Sequence, residues 1–194
     1  MKVAIVKYNA GNTASVANAL VRLGVEPVIT DAPEALTSAD KVIFPGVGEA
    51  STAMAYLRDR RLDGVIRSLE QPVLGVCLGM QLMCSASDEN ATECLGLLPY
   101  NVRRFSADGL KVPHMGWNQI SDLRGPLFAG VADGAFVYFV HSYFVESGEH
   151  TTAACKYGET FSAALSYKIF HAVQFHTEKS GEVGERILEN FLNL

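Results

Sequence analysis

Apolar residues along the chain follow two periods. Lys2–Val6 is a short apolar run and reads as a first strand. From Gly11-Asn12-Thr13 the period becomes helical, with Val16, Leu20 and Leu23 on one face and Gly24 as a stop. Glu26–Thr30 and Lys41–Phe44 predict two more strands, the second ending in Pro45-Gly46-Val47-Gly48. Helices are expected from about Ser51 and over Leu62–Leu69. Val73–Val76, bounded by Pro72, predicts a fourth strand that runs straight into Cys77 and an apolar helical stretch. Apolar strands alternating with helices indicate a parallel sheet buried on both faces.

The second half changes pattern. Short strands are expected at Asn101–Phe105, Gln119–Ile120, Phe136–Val140, Thr152–Tyr157, Phe161–Leu165 and Ile169–Gln174, before a closing helix at Glu182–Leu192. The simplest packing is an α/β fold: one open, mostly parallel sheet flanked by helices, with an antiparallel extension. One domain spanning residues 1–194 is expected, because no linker, repeat or low-complexity segment interrupts the chain.

Composition narrows the class. With 48% hydrophobic and 19% charged residues, the chain can bury a core and is not disordered. A net charge of −5 without a basic run argues against nucleic acid or an anionic membrane as partner. The longest apolar stretches, such as Ala135–Val140, fall short of the roughly 18–20 residues that span a bilayer. The N-terminus reads as a strand and lacks a signal-peptide pattern. Cys77, Cys84, Cys94 and Cys155 form no C-x-x-C pair, so reduced thiols and a cytoplasmic location are expected. No Cys/His cluster has zinc-ligand spacing, and neither metal nor cofactor is expected.

Open α/β sheets place their sites beyond the carboxyl ends of the strands. Gly75-Val76-Cys77-Leu78-Gly79 stands at such an end. Small residues two before and two after a nucleophile, between strand and helix, make a nucleophile elbow. The positive N-terminus of the following helix suits a thiolate. A buried structural role is the commoner fate of a free cysteine; it suits Cys84, Cys94 and Cys155, whereas the flanking glycines mark Cys77. His176 follows another apolar strand, and Glu178 lies two residues on, where a carboxylate can hold the imidazole in one tautomer. His171 reads as structural. An oxyanion hole would draw on the backbone N–H of Leu78 and on the Pro45–Gly48 turn. Each piece has an ordinary structural reading; their placement on separate strand ends supports a Cys-His-Glu hydrolase.

Gly75-Val76-Cys77-Leu78-Gly79-Met80-Gln81 with the distant Gln174-Phe175-His176-x-Glu178 resembles the triad-type class I glutamine amidotransferases. Pro45-Gly46-Val47-Gly48, Pro113–Asn118 and Tyr138–Tyr143 narrow the resemblance to the glutaminase subunits of imidazole glycerol phosphate synthases. The resemblance covers essentially the whole chain and implies a flavodoxin-like sheet. It implies Cys77, His176 and Glu178 as triad, with Leu78, Val47 and Gly48 at the oxyanion hole. It implies that Gly46, Gln81, Glu89, His141, Ser142 and Tyr143 hold glutamine. Asn12, Trp117 and Lys179 match positions facing a partner, a (β/α)₈-barrel cyclase that would use the ammonia in a heterodimer to make imidazole glycerol phosphate and aminoimidazole carboxamide ribotide. Two features depart from the family: Thr177 replaces the usual proline, and the Lys7–Asn12 loop lacks an acidic residue. The triad would equally serve a glutaminase of another synthase, such as the pyridoxal-phosphate synthase, or a γ-glutamyl hydrolase. A non-catalytic sensor on the same fold would be expected to have lost a triad member.

Overall fold

The computed structural model describes residues 1–106 and 109–194. The first half alternates as β1 (Val3–Val6), α1 (Thr13–Arg22), β2 (Val28–Thr30), α2 (Pro33–Thr37), β3 (Lys41–Gly46), α3 (Ala50–Asp59), α4 (Leu62–Arg67), β4 (Val73–Cys77) and α5 (Leu78–Met83). The second half holds β5 (Ala86–Ser87), β6 (Thr92–Glu93), β7 (Asn101–Arg104), β8 (His114–Gln119), β9 (Phe136–His141), β10 (Tyr143–Val145), β11 (Thr151–Tyr157), β12 (Glu159–Tyr167) and β13 (Phe170–Val173). A 3₁₀ turn at Thr177–Lys179 leads into α6 (Gly181–Leu192).

The main sheet has seven strands in the order β11-β12-β13-β4-β3-β1-β2. The five from β13 to β2 are parallel, and β12 and β11 extend them antiparallel. The strand period of two divides the core between the sheet's faces. Ala4 and Val6 join Leu36, Met54, Leu57 and Ile66 from α2, α3 and α4. Val3 and Ile5 join Val16 and Leu20 from α1 and Ile187, Leu188 and Phe191 from α6. Because β1, β3 and β4 are buried at every position, they read as continuous apolar runs rather than alternating ones.

The second half departs from the single extended sheet. The strand expected at Gln119–Ile120 is instead β8, over His114–Gln119, and it pairs with β9 as a separate two-stranded sheet. Its buried positions carry polar residues such as His114, which masks the alternation on which the sequence reading relied. β7 and β10 join the two-residue strands β5 and β6 in a four-stranded sheet. The five-residue α2 and strands of two or three residues are too short to generate a period. Among the described residues no helix is long and apolar enough to cross a membrane.

Candidate active site

The elbow is built from backbone contact. Cys77 ends β4 and sits opposite Gly46 of β3 in the ladder. Its φ of 54° and ψ of −111° are unfavourable for a residue with a Cβ, and such a conformation persists only where the surroundings impose it. Two glycines do so. A Cβ on Gly79 would stand 1.8 Å from the Phe44 carbonyl oxygen, and one on Gly75 would stand 2.8 Å from Met83 Sδ and 3.0 Å from Met80 N. Strand and helix therefore approach more closely than any side chain allows, and the turn thrusts Cys77 into a cleft of about 320 Å³.

β13 lies parallel beside β4, so the chain leaving it reaches the same edge. His176 is held there by its N–H donating to the Tyr138 carbonyl at 2.9 Å and by Ser180 Oγ donating to its own carbonyl at 2.6 Å. Nδ1 of His176 lies 2.8 Å from Glu178 Oε1, and both side chains are almost fully buried. A carboxylate accepts at Nδ1, so that nitrogen carries the proton. The other ring nitrogen is left for Cys77, with which the imidazole also interacts. Burial disfavours the imidazolium, but its hydrogen bonds to Cys77 and Glu178 and their charges outweigh it and push the His176 pKa up to about 10. Glu178 Oε2 has no hydrogen-bond partner among the described residues.

Two further groups touch the sulfur. Cys77 Sγ donates to the Val140 carbonyl at 3.7 Å, and Gln174 Nε2 donates to Sγ at 3.7 Å. Gln81 Nε2 donates both to the Tyr143 carbonyl at 3.0 Å and to Gln174 Oε1 at 2.9 Å. The same Tyr143 carbonyl accepts from Nδ1 of His141 at 2.7 Å. That leaves His141 Nε2 as acceptor, and His114 Nδ1 stands 2.9 Å from it. Asn118 Nδ2 closes the series at 3.2 Å from His114 Nε2. Every polar atom in this buried chain has one consistent role with both imidazoles neutral. Burial drives the same way, pushing His141 down to about 3 and His114 to about 4.

Val47, Gly48, Leu78, Gln81, Glu89, His141, Ser142, Tyr143 and Lys179 all line the cleft with Cys77 and His176. Gly46 does not; the space its Cβ would need is filled by Tyr8 Oη, Gly79 N and Leu78 Cβ, so it underlies the elbow. Gln81 is 4% exposed and its Nε2 is committed to the protein, which leaves Oε1 for a ligand. Glu89 accepts the Ala50 N–H at 2.8 Å; burial raises its pKa, helped by Glu49 and opposed by that hydrogen bond. Trp117 is 55% exposed and its ring meets Tyr138, over which Lys179 Nζ also stands. Asn12 precedes α1, which packs against the Thr177–Lys179 turn. The sequence reading missed the cleft positions Pro113 and Val140 and the contacts of Gln174 and Tyr138. Val140 acts through its carbonyl, which no residue pattern reports, but Gln174 was visible as a polar residue in an apolar strand. Cys84, Cys94 and Cys155 are buried, and burial raises each thiol pKa, Cys94 to about 11 and Cys155 to about 12.

A strained cysteine at the carboxyl edge of a parallel sheet, facing a buried His–Glu pair, is the arrangement that thiol-dependent acyl transfer requires. The model for "Glutamine amidotransferase class-I" matches residues 4–194. Over the full length of both chains, this one is 58% identical to "Imidazole glycerol phosphate synthase subunit HisH" of Bacteroides fragilis strain YCH46. It is 44% identical to the protein of the same name from Escherichia coli K12, again over 100% of both chains. The solved structure of PurLQS from Thermotoga maritima matches with a TM-score of 0.73 at 15% identity, covering 99% of this chain and 97% of that one, which shows the shared fold. The chain belongs to the class I glutamine amidotransferase family, among its HisH subunits, and is an enzyme.

Proposed function

We propose that the chain, as one domain, hydrolyses glutamine to glutamate and ammonia and supplies the ammonia to a (β/α)₈-barrel cyclase. The acceptor reaction would yield imidazole glycerol phosphate and aminoimidazole carboxamide ribotide in histidine biosynthesis. The observation that carries this reading is the convergence of Cys77 and His176 from the ends of two adjacent parallel strands onto one cleft, with Glu178 on Nδ1 of His176.

The chemistry follows from the geometry. The Cys77 thiol passes its proton to the free ring nitrogen of His176, and Sγ attacks the γ-carboxamide carbon of glutamine. The tetrahedral oxyanion is held by backbone N–H groups of Leu78 and of Val47 or Gly48, residues that line the cleft with Cys77. His176 returns the proton to the leaving nitrogen, the C–N bond breaks, and ammonia departs from a glutamyl thioester. Water, deprotonated by His176, then releases glutamate. Glu178 keeps the imidazole in the required tautomer throughout.

Gln81 Oε1 and Glu89 can accept from the substrate α-ammonium, and the segment His141-Ser142-Tyr143 forms the wall that receives its carboxylate end. Gly46 serves this subsite by letting the elbow close against β3. Lys179, Tyr138 and exposed Trp117 form a rim beside the cleft mouth, suited to a protein partner. Asn12 extends the same contact. The uncoupled, buried thiols suit a reducing compartment such as the cytoplasm.

Glutamate release tests the reading. It should be measured with the chain alone, with a barrel cyclase and its nucleotide ligand, and with Cys77→Ala as blank. The expected result is weak activity alone and a large increase that needs both partner and Cys77. Glutamate release that survives Cys77→Ala would overturn the triad, and full activity without partner would overturn its dependence on the cyclase.

A further inference from the structure

The mechanism above uses one of three groups that meet Cys77 Sγ, the His176 imidazole, which Glu178 orients. It leaves the Val140 carbonyl and the Gln174 carboxamide unexplained. They act oppositely. A carbonyl oxygen 3.7 Å from the sulfur welcomes the thiol proton and repels a thiolate. An amide N–H 3.7 Å from the same atom donates to it and gains strength as negative charge develops there.

The orientation of that amide is enforced. An amide can present either its oxygen or its nitrogen, and the network decides which. The Tyr143 carbonyl can only accept, so Gln81 must turn Nε2 toward it. The same Nε2 then also donates to Gln174, which must answer with Oε1. Gln174 is left with Nε2 toward the sulfur. Its side chain is fully buried, so no water competes for the donor. Burying a glutamine costs free energy unless its atoms are satisfied, and here one of those atoms is satisfied by the nucleophile.

We propose that Gln174 is a further catalytic residue, a neutral hydrogen-bond donor that stabilises the Cys77 thiolate, and that Gln81 is the positioning residue that keeps the donor aimed. The inference rests on Cys77 being the nucleophile of the proposed reaction. No proton is transferred by Gln174. The thiol proton goes to His176; the Gln174 N–H···S contact strengthens as the ion pair forms, weakens in the neutral thioester, and strengthens again when the thiolate leaves during deacylation. A neutral donor suits this task, because a cation at the same place would compete with the imidazolium. Gln81 also offers Oε1 to the cleft, so a ligand that moves Gln81 moves the donor.

Other titratable groups also face the site. His176 and Glu178 come from the chain after β13, Tyr8 from the loop after β1, and His141 from β9. Lys179 and Glu89 come from the cleft wall. The test must therefore change only the donor.

Gln174→Met keeps the side chain's length and removes the N–H. The readout is the rate of Cys77 alkylation by iodoacetamide between about pH 5 and pH 10, a range that brackets the titration of activated and ordinary thiols. Cys77→Ala serves as blank for the other three thiols. The expected result is an inflection displaced upward by about one pH unit, a roughly tenfold loss of thiolate at pH values below it. Above the inflection the rate should be equal or higher, because a less stabilised thiolate is the better nucleophile. Glutaminase kcat should fall about tenfold with the KM for glutamine changed less than about twofold. An inflection coincident with that of wild type would overturn the proposal, even if activity fell.

A second measurement needs no variant at Gln174. In wild type the ¹H–¹⁵N signals of its side-chain amide should shift with pH at the alkylation inflection, and should not titrate there in Cys77→Ala. A signal indifferent to the thiol would overturn the assignment. Both measurements work without glutamine, so a chain that met both expectations yet released no glutamate would sink the proposed reaction and leave this inference standing.

Discussion

Gly79→Ala adds one methyl group at the point where the elbow helix meets β3. Its Cβ would lie 1.8 Å from the Phe44 carbonyl oxygen and 2.9 Å from the Phe44 carbonyl carbon. Ordinary contact begins near 3.4 Å, so helix and strand must separate by about 1.6 Å. Both neighbours are backbone, so no side-chain rotation relieves the overlap. The movement is delivered to the two residues before Gly79, Leu78 with its proposed oxyanion N–H and Cys77 with its sulfur. Misplacing reacting groups by about 1 Å costs on the order of 10²-fold in rate. Overpacking of this severity costs about 3 kcal/mol, which for a chain of this size lowers the Tm by about 6–12 °C. The assay is partner-activated glutamate release measured well below the variant's Tm, with thermal unfolding alongside. The expected result is a kcat lowered about 100-fold in a protein that is still folded. A Gly79→Ala enzyme with wild-type Tm and kcat would refute the claim that close backbone approach builds the elbow.

Four further outcomes are expected. Glu178→Gln preserves size but can donate to Nδ1, favouring the wrong tautomer, so kcat should fall about 10³–10⁴-fold with little change in KM; activity within tenfold of wild type would show that Glu178 does not orient the imidazole. His114 and His141 are buried neutral with pKa values pushed down to about 4 and about 3; the stability they contribute is complete above the unfolded value near 6.5 and is lost as pH falls toward 4, by up to about 1.4 kcal/mol per pH unit for each. Urea unfolding between pH 7 and 4 should show this slope, and His114→Asn should flatten it. His176 runs the other way: its raised pKa stabilises the fold fully below about 6.5, and this contribution fades as pH rises toward about 10, so Cys77→Ala should lose less stability than wild type between pH 7 and 10. Thr177→Pro should be accepted, with turnover within about twofold and stability up by about 0.4–1 kcal/mol. His176 already has an extended backbone, with φ −89° and ψ 103°, close to what a following proline favours, and the Thr177 hydroxyl it would remove is buried without a hydrogen-bond partner among the described residues. A large change in turnover in either direction would mean that the threonine itself serves the triad loop.

The local signals in the sequence were those with a short-range physical cause. Apolar runs marked β1, β3 and β4 because strands buried on both faces have no polar positions. The glycines around Cys77 marked the elbow because a tight strand-to-helix turn excludes side chains. The two-residue spacing of His176 and Glu178 sufficed because a 3₁₀ turn brings such neighbours together. The class of fold was legible in these patterns, and so were the residues proposed as nucleophile, base and orienting acid.

Tertiary structure decided what depends on distant partners. That β8 and β9 form a ribbon of their own rests on pairing between distant segments, in which His114 stands opposite His141 and hydrogen-bonds to it, a match no local pattern reports. That Gly46 underlies the elbow rather than lining the cleft depends on Tyr8, 38 positions earlier in the chain. That Gln174 reaches the sulfur depends on Gln81 and on a carbonyl at Tyr143. Backbone carbonyls carry no residue identity, and the direction of a carboxamide is set by the groups around it. The sequence by itself therefore determined the class of fold and singled out the side chains proposed for the chemistry, and only the folded chain determined which way their supporting dipoles point.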